Sequence, residues 1–306
     1  MNKTTARIVS AFIPFRKARK RIRKQLMREE QVQNHEQDKP NGAVPTAPGP
    51  KQAILNGHMF TFNGVVEDDP YASSIRDDFE PEFSRIANEL IAADSTCIDI
   101  GANIGAKSFI MSRRAADGKI YSIEAGKRVY EALQANVAAN AMQNVTAINA
   151  VMTDITQSVT FEENSAWGHI GEKGIHESGY ALDDLLAKLA VEQVDFIKID
   201  TEGNELRVLK GATATLQKHR LWLYLEFNSF TLVAFGDTSP KTFLEWLFDQ
   251  FKYVFHVQNG AFGKLRRLEH SDILGLLHEN MVNNLCVDDL LATNRESALE
   301  EVKALL

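Results

Sequence analysis

Between residues 96 and 227 the chain alternates short runs rich in Ile and Val with longer amphipathic stretches, and this alternation narrows the folds open to it. Short runs that are apolar on both sides suit strands covered by helices on both faces. The predicted strands are 96–100, 119–124, 145–151, 194–199 and 221–227. The predicted helices are 104–114, 129–140, 204–218 and 243–251. Repeated strand–helix–strand units imply an α/β architecture with a mostly parallel, doubly wound sheet. Apolar runs near 253–257 and 284–287 are expected to complete that sheet, with an antiparallel edge.

The residues ahead of this pattern differ in kind. Residues 1–30 contain ten Lys/Arg and two Glu in a chain whose net charge is −7, so the remainder is strongly acidic. Residues 31–52 hold Pro40, Pro45, Pro48 and Pro50 with Gly42 and Gly49, the composition of a flexible linker. The expected division is a basic amphipathic N-terminal helix over 1–30, a linker over 31–52 and one domain over 53–306. Two cysteines, Cys97 and Cys286, are too few for a disulfide framework or a cysteine-rich metal site and suit a reducing cytoplasm. No apolar run approaches the ~20 residues of a membrane-spanning helix, and no secretory signal is recognisable.

The strand at 96–100 leads into Asp99-Ile100-Gly101-Ala102-Asn103-Ile104-Gly105. In open α/β sheets, ligands bind outside the carboxyl ends of the strands. Gly101 and Gly105 let backbone approach a ligand, and the helix that follows presents free N–H groups. Asn103 stands where a dinucleotide fingerprint requires its middle glycine, which speaks against a pyrophosphate cradle and an oxidoreductase. Adenosylmethionine suits the turn better. Asp99 is a candidate to orient its amino end, and the helix N-terminus suits its carboxylate. Glu124, closing the next strand, is placed to accept hydrogen bonds from ribose hydroxyls. Met152 and Asp154, after the third strand, are candidates for the adenine ring and its amino group, although a core Met and a turn Asp are equally ordinary.

A second segment, Val194-Asp195-Phe196-Ile197-Lys198-Ile199-Asp200-Thr201-Glu202-Gly203-Asn204-Glu205-Leu206, runs on to Val208-Leu209-Lys210-Gly211. Together with the Asp99–Gly105 turn it resembles the FkbM-type methyltransferases, which pair a D-x-G-A-N-x-G turn with a later I-K-x-D-x-E-G-x-E segment and L-x-G. The resemblance covers roughly 95–229. It implies a Rossmann-like class I methyltransferase fold, S-adenosylmethionine as methyl donor, and O-methylation, often of sugars. Where the family often has Glu-Pro, this chain has Glu124-Ala125-Gly126. The glycine-rich stretch 167–180 matches no recognised pattern.

Methyl transfer to an alcohol needs the acceptor oxygen positioned and its proton removed. Asp200 at the end of the fourth strand and Glu202 in the turn beyond it are candidates for the base, or for oxygen ligands of a divalent cation. Glu202 equally suits a helix N-terminus. Glu226 and Asn228, ending the fifth strand, are candidates for hydrogen bonds to a sugar, and His169 is a further candidate base. Lys198, in an otherwise apolar strand, is expected to pair with an acid. Glu205 reads as a structural acid of a first helical turn.

Residues 6–27 mix Ile8, Val9, Phe12, Ile13, Phe15, Ile22 and Leu26 with the basic run 16–24. Such a helix can bury its apolar face in an anionic membrane surface. The expected activity is therefore O-methylation of a sugar in a cell-surface glycan or its lipid-linked precursor. The expected place is the cytoplasm, peripheral to the inner face of the plasma membrane. Two alternatives remain: an RNA methyltransferase using the basic tail, and a non-enzymatic, membrane-tethered adenosylmethionine-binding protein. No RNA- or DNA-reading motif supports a nucleic-acid partner.

Overall fold

The structure, a computed structural model, describes residues 50–64, 70–163, 168–172, 174–258 and 264–306. The basic segment 1–30 and nearly all of the linker lie outside the described residues. The first described strand, β1 (Lys51–Leu55), begins two residues inside the segment expected as linker. It forms a hairpin with β2 (His58–Phe62). Asn56 and Gly57, both left-handed at φ 49° and 76°, make its two-residue turn, as a primed hairpin turn requires. Two helices follow, α1 (Pro70–Ser74) and α2 (Pro81–Leu90).

The central sheet contains β3 (Thr96–Ile100), β4 (Lys119–Glu124), β5 (Val145–Asn149), β10 (Phe196–Ile199), β11 (Trp222–Asn228), β12 (Tyr253–Gln258), β13 (Lys264–Leu268) and β14 (Val287–Thr293). Their order is β13-β12-β14-β11-β10-β3-β4-β5. The run from β11 to β5 is parallel, whereas β14, β12 and β13 join antiparallel. This is the Rossmann-like α/β sheet, and its order reverses between β3 and β10. Crossover helices α3 (Ala106–Arg114) and α4 (Lys127–Ala139) follow β3 and β4.

Both sheet faces are covered, which explains the uninterrupted apolar runs. Phe196, Trp222 and Tyr224 pack on one side with Phe60, Phe83 and Phe109. Ile197, Leu223, Leu225 and Phe227 pack on the other with Leu185, Leu209 and Leu244. Each fully buried side chain of this size stabilises the fold by ~1.5–3 kcal/mol relative to exposure.

Three expectations are corrected. The strand expected over 145–151 is two. β5 ends at Asn149, and β6 (Val151–Met152) joins a second sheet of order β6-β9-β7-β8, with β7 (Gln157–Glu162), β8 (His169–Ile170) and β9 (Ile175–Tyr180). The unassigned glycines serve this small sheet. A Cβ on Gly174, φ 137°, would sit 2.0 Å from the Phe161 carbonyl oxygen. The helix expected over 204–218 is also two, following α5 (Leu182–Lys188): α6 (Glu205–Lys210) and α7 (Thr213–Lys218). Asp183 restarts it by accepting the backbone N–H groups of Ala214 and Thr215, each at 2.8 Å. The strand expected at 284–287 instead begins at Val287, because Leu285 and Cys286 turn the chain at positive φ.

The remaining helices are α8 (Ser229–Ala234), α9 (Pro240–Gln250), α10 (Ile273–Val282) and α11 (Ala298–Glu301). Ser239 caps α9 with Pro240 behind it. Among the described residues, no helix is long and apolar enough to cross a membrane.

Candidate active site

A cavity of about 400 Å³ opens at the carboxyl ends of β3, β4, β10 and β11, at the point where strand order reverses. Its floor is the turn after β3. The N–H groups of Gly101 and Ala102 both donate to the Ile123 carbonyl at 3.0 Å, tying the turn to β4. Gly101 has φ 74°, and a Cβ there would lie 1.7 Å from the Asp200 carbonyl oxygen, so β3 and β10 approach closely at this point.

Glu124 is held by two backbone donors, Asn103 N–H to Oε2 and Gly126 N–H to Oε1, both at 2.9 Å. Its carboxylate faces the cavity with lone pairs to spare. Burial raises its proton affinity against the pull of those N–H groups. Ile100, Ile123, Ala150 and Met152 make an apolar shelf beside it. A fixed strand-end carboxylate, an apolar shelf and a close backbone turn fit the ribose, adenine and amino-acid parts of adenosylmethionine.

Asp99 is placed apart from the other residues of the turn. It is fully buried and is not among the residues lining the cavity. Its Oδ1 lies 3.1 Å from Lys198 Nζ, and its Oδ2 accepts Ser108 Oγ–H at 2.5 Å. Lys198 in turn donates to the Gly101 carbonyl at 2.7 Å. Asp99 therefore supports the turn from beneath, and the expected ion pair of Lys198 is this one. Three further candidates stand outside the lining. A Cβ on Gly105 would lie 2.9 Å from Leu133 and Phe109. Asp154 accepts the Thr153 hydroxyl. Asn228 caps α8 by accepting the N–H groups of Phe230 and Thr231.

Asp200, Glu202, Glu226 and His169 do line the cavity, with Asn103 and Met152. Glu202 adopts φ 52° in the turn after β10 and so does not begin a helix. Glu205 organises that turn, its Oε1 accepting from Thr201 N–H, Thr201 Oγ–H and Gly203 N–H. The His169 ring stacks on Phe235 at 4.2 Å.

The lining also includes Tyr71, Glu80, Lys107 and Asp289, none of them a candidate from the sequence. Lys107 Nζ lies 3.2 Å from Glu80 and 3.7 Å from Asp200. Burial acts against its charge, but the surrounding carboxylates prevail and hold its proton above the ordinary lysine range. A cation in the first turn of a helix opposes the macrodipole, and that was a legible signal of another duty. Asp289 pairs with Glu226 across β11 and β14. Burial pushes Asp289 up to about 7, with Glu80 and Asp200 adding to it and Lys107 opposing. Glu226 is driven up by burial and then by Asp200, Glu202, Glu205 and Asp289. Asp288, next in sequence, turns to a different set of partners: His256 at 2.8 Å, Asn280 and Asn284.

Among the described residues, no group of three or more His, Cys, Asp or Glu side chains is arranged to hold a metal ion.

The model of the methyltransferase FkbM domain matches residues 99–257, more than half of the chain. The hexuronic acid methyltransferase AglP of Haloferax volcanii is 26% identical over 143 residues, which are 45% of this chain and 58% of that protein. The match thus spans less than two thirds of the relative's length. A methyltransferase FkbM from Methylobacillus flagellatus overlays at a TM-score of 0.43 with 16% identity, over 70% of this chain and 51% of its own. The Thermus thermophilus 16S rRNA N2 G1207 methyltransferase, solved with AdoMet and guanosine, overlays at 0.45 with 14% identity, over 84% and 53%. By the family match and the two motifs that frame its cavity, this chain belongs to the FkbM methyltransferase family.

Proposed function

We propose that this chain is an S-adenosylmethionine-dependent O-methyltransferase whose acceptor is a hydroxyl of a sugar, in a cell-surface glycan or its lipid-linked precursor. The observation that carries this reading is that one cavity is lined by two kinds of residue. Glu124, Met152 and the 101–103 turn are of the kind that suits a nucleoside, and Asp200, Glu202, Glu226 and Asp289 bring carboxylates. The name of the relative, a hexuronic acid methyltransferase, supports a sugar acceptor.

Adenosylmethionine would supply an activated methyl on a sulfonium. The residues that would hold it are Glu124 on the ribose, Met152 and Ile123 at the adenine, and the backbone of Gly101, Ala102 and Asn103 at the amino-acid end. The carboxylates beyond the turn favour the positive sulfonium by simple attraction.

The acceptor hydroxyl must lose a proton, and the best base has a proton affinity near the working pH. Asp200, between Lys107 at 3.7 Å and Lys198 at 3.8 Å, is suited to positioning. Glu226 and Asp289, whose proton affinities are raised, are suited to accepting the proton. His169, stacked on Phe235, is suited to bounding the acceptor side. The basic segment 1–30 would hold the enzyme at an anionic membrane surface, near lipid-linked acceptors.

The test is calorimetric binding of adenosylmethionine to the full-length protein, followed by methyl transfer to a panel of sugars. Micromolar binding with transfer to a sugar hydroxyl is expected. Binding without transfer to any sugar would overturn the acceptor class.

A further inference from the structure

We propose that the acceptor taken by this cavity carries no negative charge, being a neutral or amino-bearing sugar rather than a uronate or a sugar phosphate. This rests on the reading of the cavity as a sugar O-methyltransferase site.

Beyond the 101–103 turn the wall presents the carboxylates of Glu80, Asp200, Glu202, Glu226 and Asp289. Against them, the described lining residues supply two lysines and no arginine. Both lysines are engaged. Lys107 lies between Glu80 and Asp200. Lys198, 3% exposed, lies 3.1 Å from Asp99 and donates to the Gly101 carbonyl. Recognition of a carboxylate or phosphate calls for a cation turned toward the ligand, best of all an arginine fork, and the described residues of this wall offer neither.

One acceptor of the wall instead lacks a donor. Glu226 Oε2 is buried and has no hydrogen-bond partner, although its residue opens on the cavity. An ionised carboxylate only accepts. A sugar hydroxyl brings a donor, and an ammonium brings three donors and a positive charge. A uronate or phosphate brings only further acceptors and a like charge. The wall already works against its own repulsion: burial and acidic neighbours raise the proton affinity of Glu226, and burial pushes Asp289 up to about 7. An anion placed against it adds to that repulsion.

The test uses the full-length protein at saturating adenosylmethionine. Transfer of labelled methyl is measured to the methyl glycosides of glucose, galactose and glucosamine, and to the matched glucuronate and galacturonate. The neutral or amino-bearing member of each pair is expected to show a kcat/KM at least about tenfold higher, the size of a single unfavourable charge contact of ~1.4 kcal/mol. The same ratio is then measured in Glu226→Gln and Asp289→Asn. Whatever their absolute rates, the ratio should move toward unity as wall charge is removed. Equal or better turnover of the uronates, or a ratio that neither substitution moves, overturns the charge inference and leaves sugar methylation standing. Adenosylmethionine binding with no transfer to any sugar overturns both.

Discussion

Lys198 and Asp99 stand opposite each other in the register of β10 and β3, with Nζ 3.1 Å from Oδ1 and both side chains out of solvent. The pair links two halves of the molecule: Asp99 is hydrogen-bonded to Ser108 of α3, and Lys198 to the carbonyl of Gly101 in the ligand turn. Lys198→Met leaves a buried carboxylate without its cation. It should cost about 3–5 kcal/mol of folding stability, measured by urea unfolding, and should weaken adenosylmethionine binding in the fraction that folds. A stability change within 1 kcal/mol of wild type would mean that the pair contributes little.

Glu124 and Gly101 serve the turn differently, and their substitutions should separate. Glu124→Gln keeps the shape but loses the charge on a ribose contact, and should weaken adenosylmethionine binding by about tenfold, or ~1.4 kcal/mol, with normal folding. Gly101→Val drives a side chain into the Asp200 carbonyl at a left-handed position, and should abolish binding by disrupting the turn. Calorimetry with circular dichroism on both variants distinguishes the two effects. Unchanged affinity in Glu124→Gln would remove it from the cofactor site.

Asp289 should govern the pH dependence of the rate. As the accepting base it must be ionised, so kcat/KM should rise through pH about 7. Asp289→Asn should abolish that limb and lower kcat by roughly 10²-fold or more, while Asp200→Asn should leave the limb in place. A limb that survives in Asp289→Asn moves the assignment to Glu226.

The same group sets a stability slope of opposite sense. Its proton affinity is raised in the folded state from 3.8 to about 7, so the folded protein binds more protons across that window. Its contribution is present in full below pH about 3.8 and is lost as pH rises through about 7. Between pH 5 and 8, wild type should therefore lose stability relative to Asp289→Asn, as read from urea midpoints at each pH. Parallel curves would show that Asp289 is ionised throughout.

Glu205→Ala should loosen the turn after β10, because three donors at Thr201 and Gly203 lose one acceptor. The expected cost is about 1–3 kcal/mol, with turnover falling more than adenosylmethionine affinity, since the turn holds Asp200 and Glu202. Hydrogen exchange at 201–203 that stays as slow as in wild type would contradict this role.

The sequence by itself determined the parallel half of the sheet, the glycine turn and the family. These rest on local pattern: apolar runs covered on both faces, Gly101 where a Cβ has no room, and two motifs at the ends of β3 and β10. The β1–β2 hairpin, in Asn56-Gly57 ahead of Phe60 and Phe62, and Lys107, a cation on the unfavourable end of its helix, carried local signals that the sequence reading did not use. What only the tertiary structure decided is which chemical groups meet. Asp99 sits in the cofactor motif yet points into the sheet, because Lys198 across the register needs a counter-charge and no water reaches either. Asp289 lies far from the motifs, and antiparallel pairing of β14 on β11 sets it beside Glu226. Its neighbour Asp288 pairs with His256 instead, because alternate residues of a strand face opposite sides of the sheet. Side-chain direction and partner charge depend on strands brought together from distant parts of the chain, and local sequence does not encode that encounter.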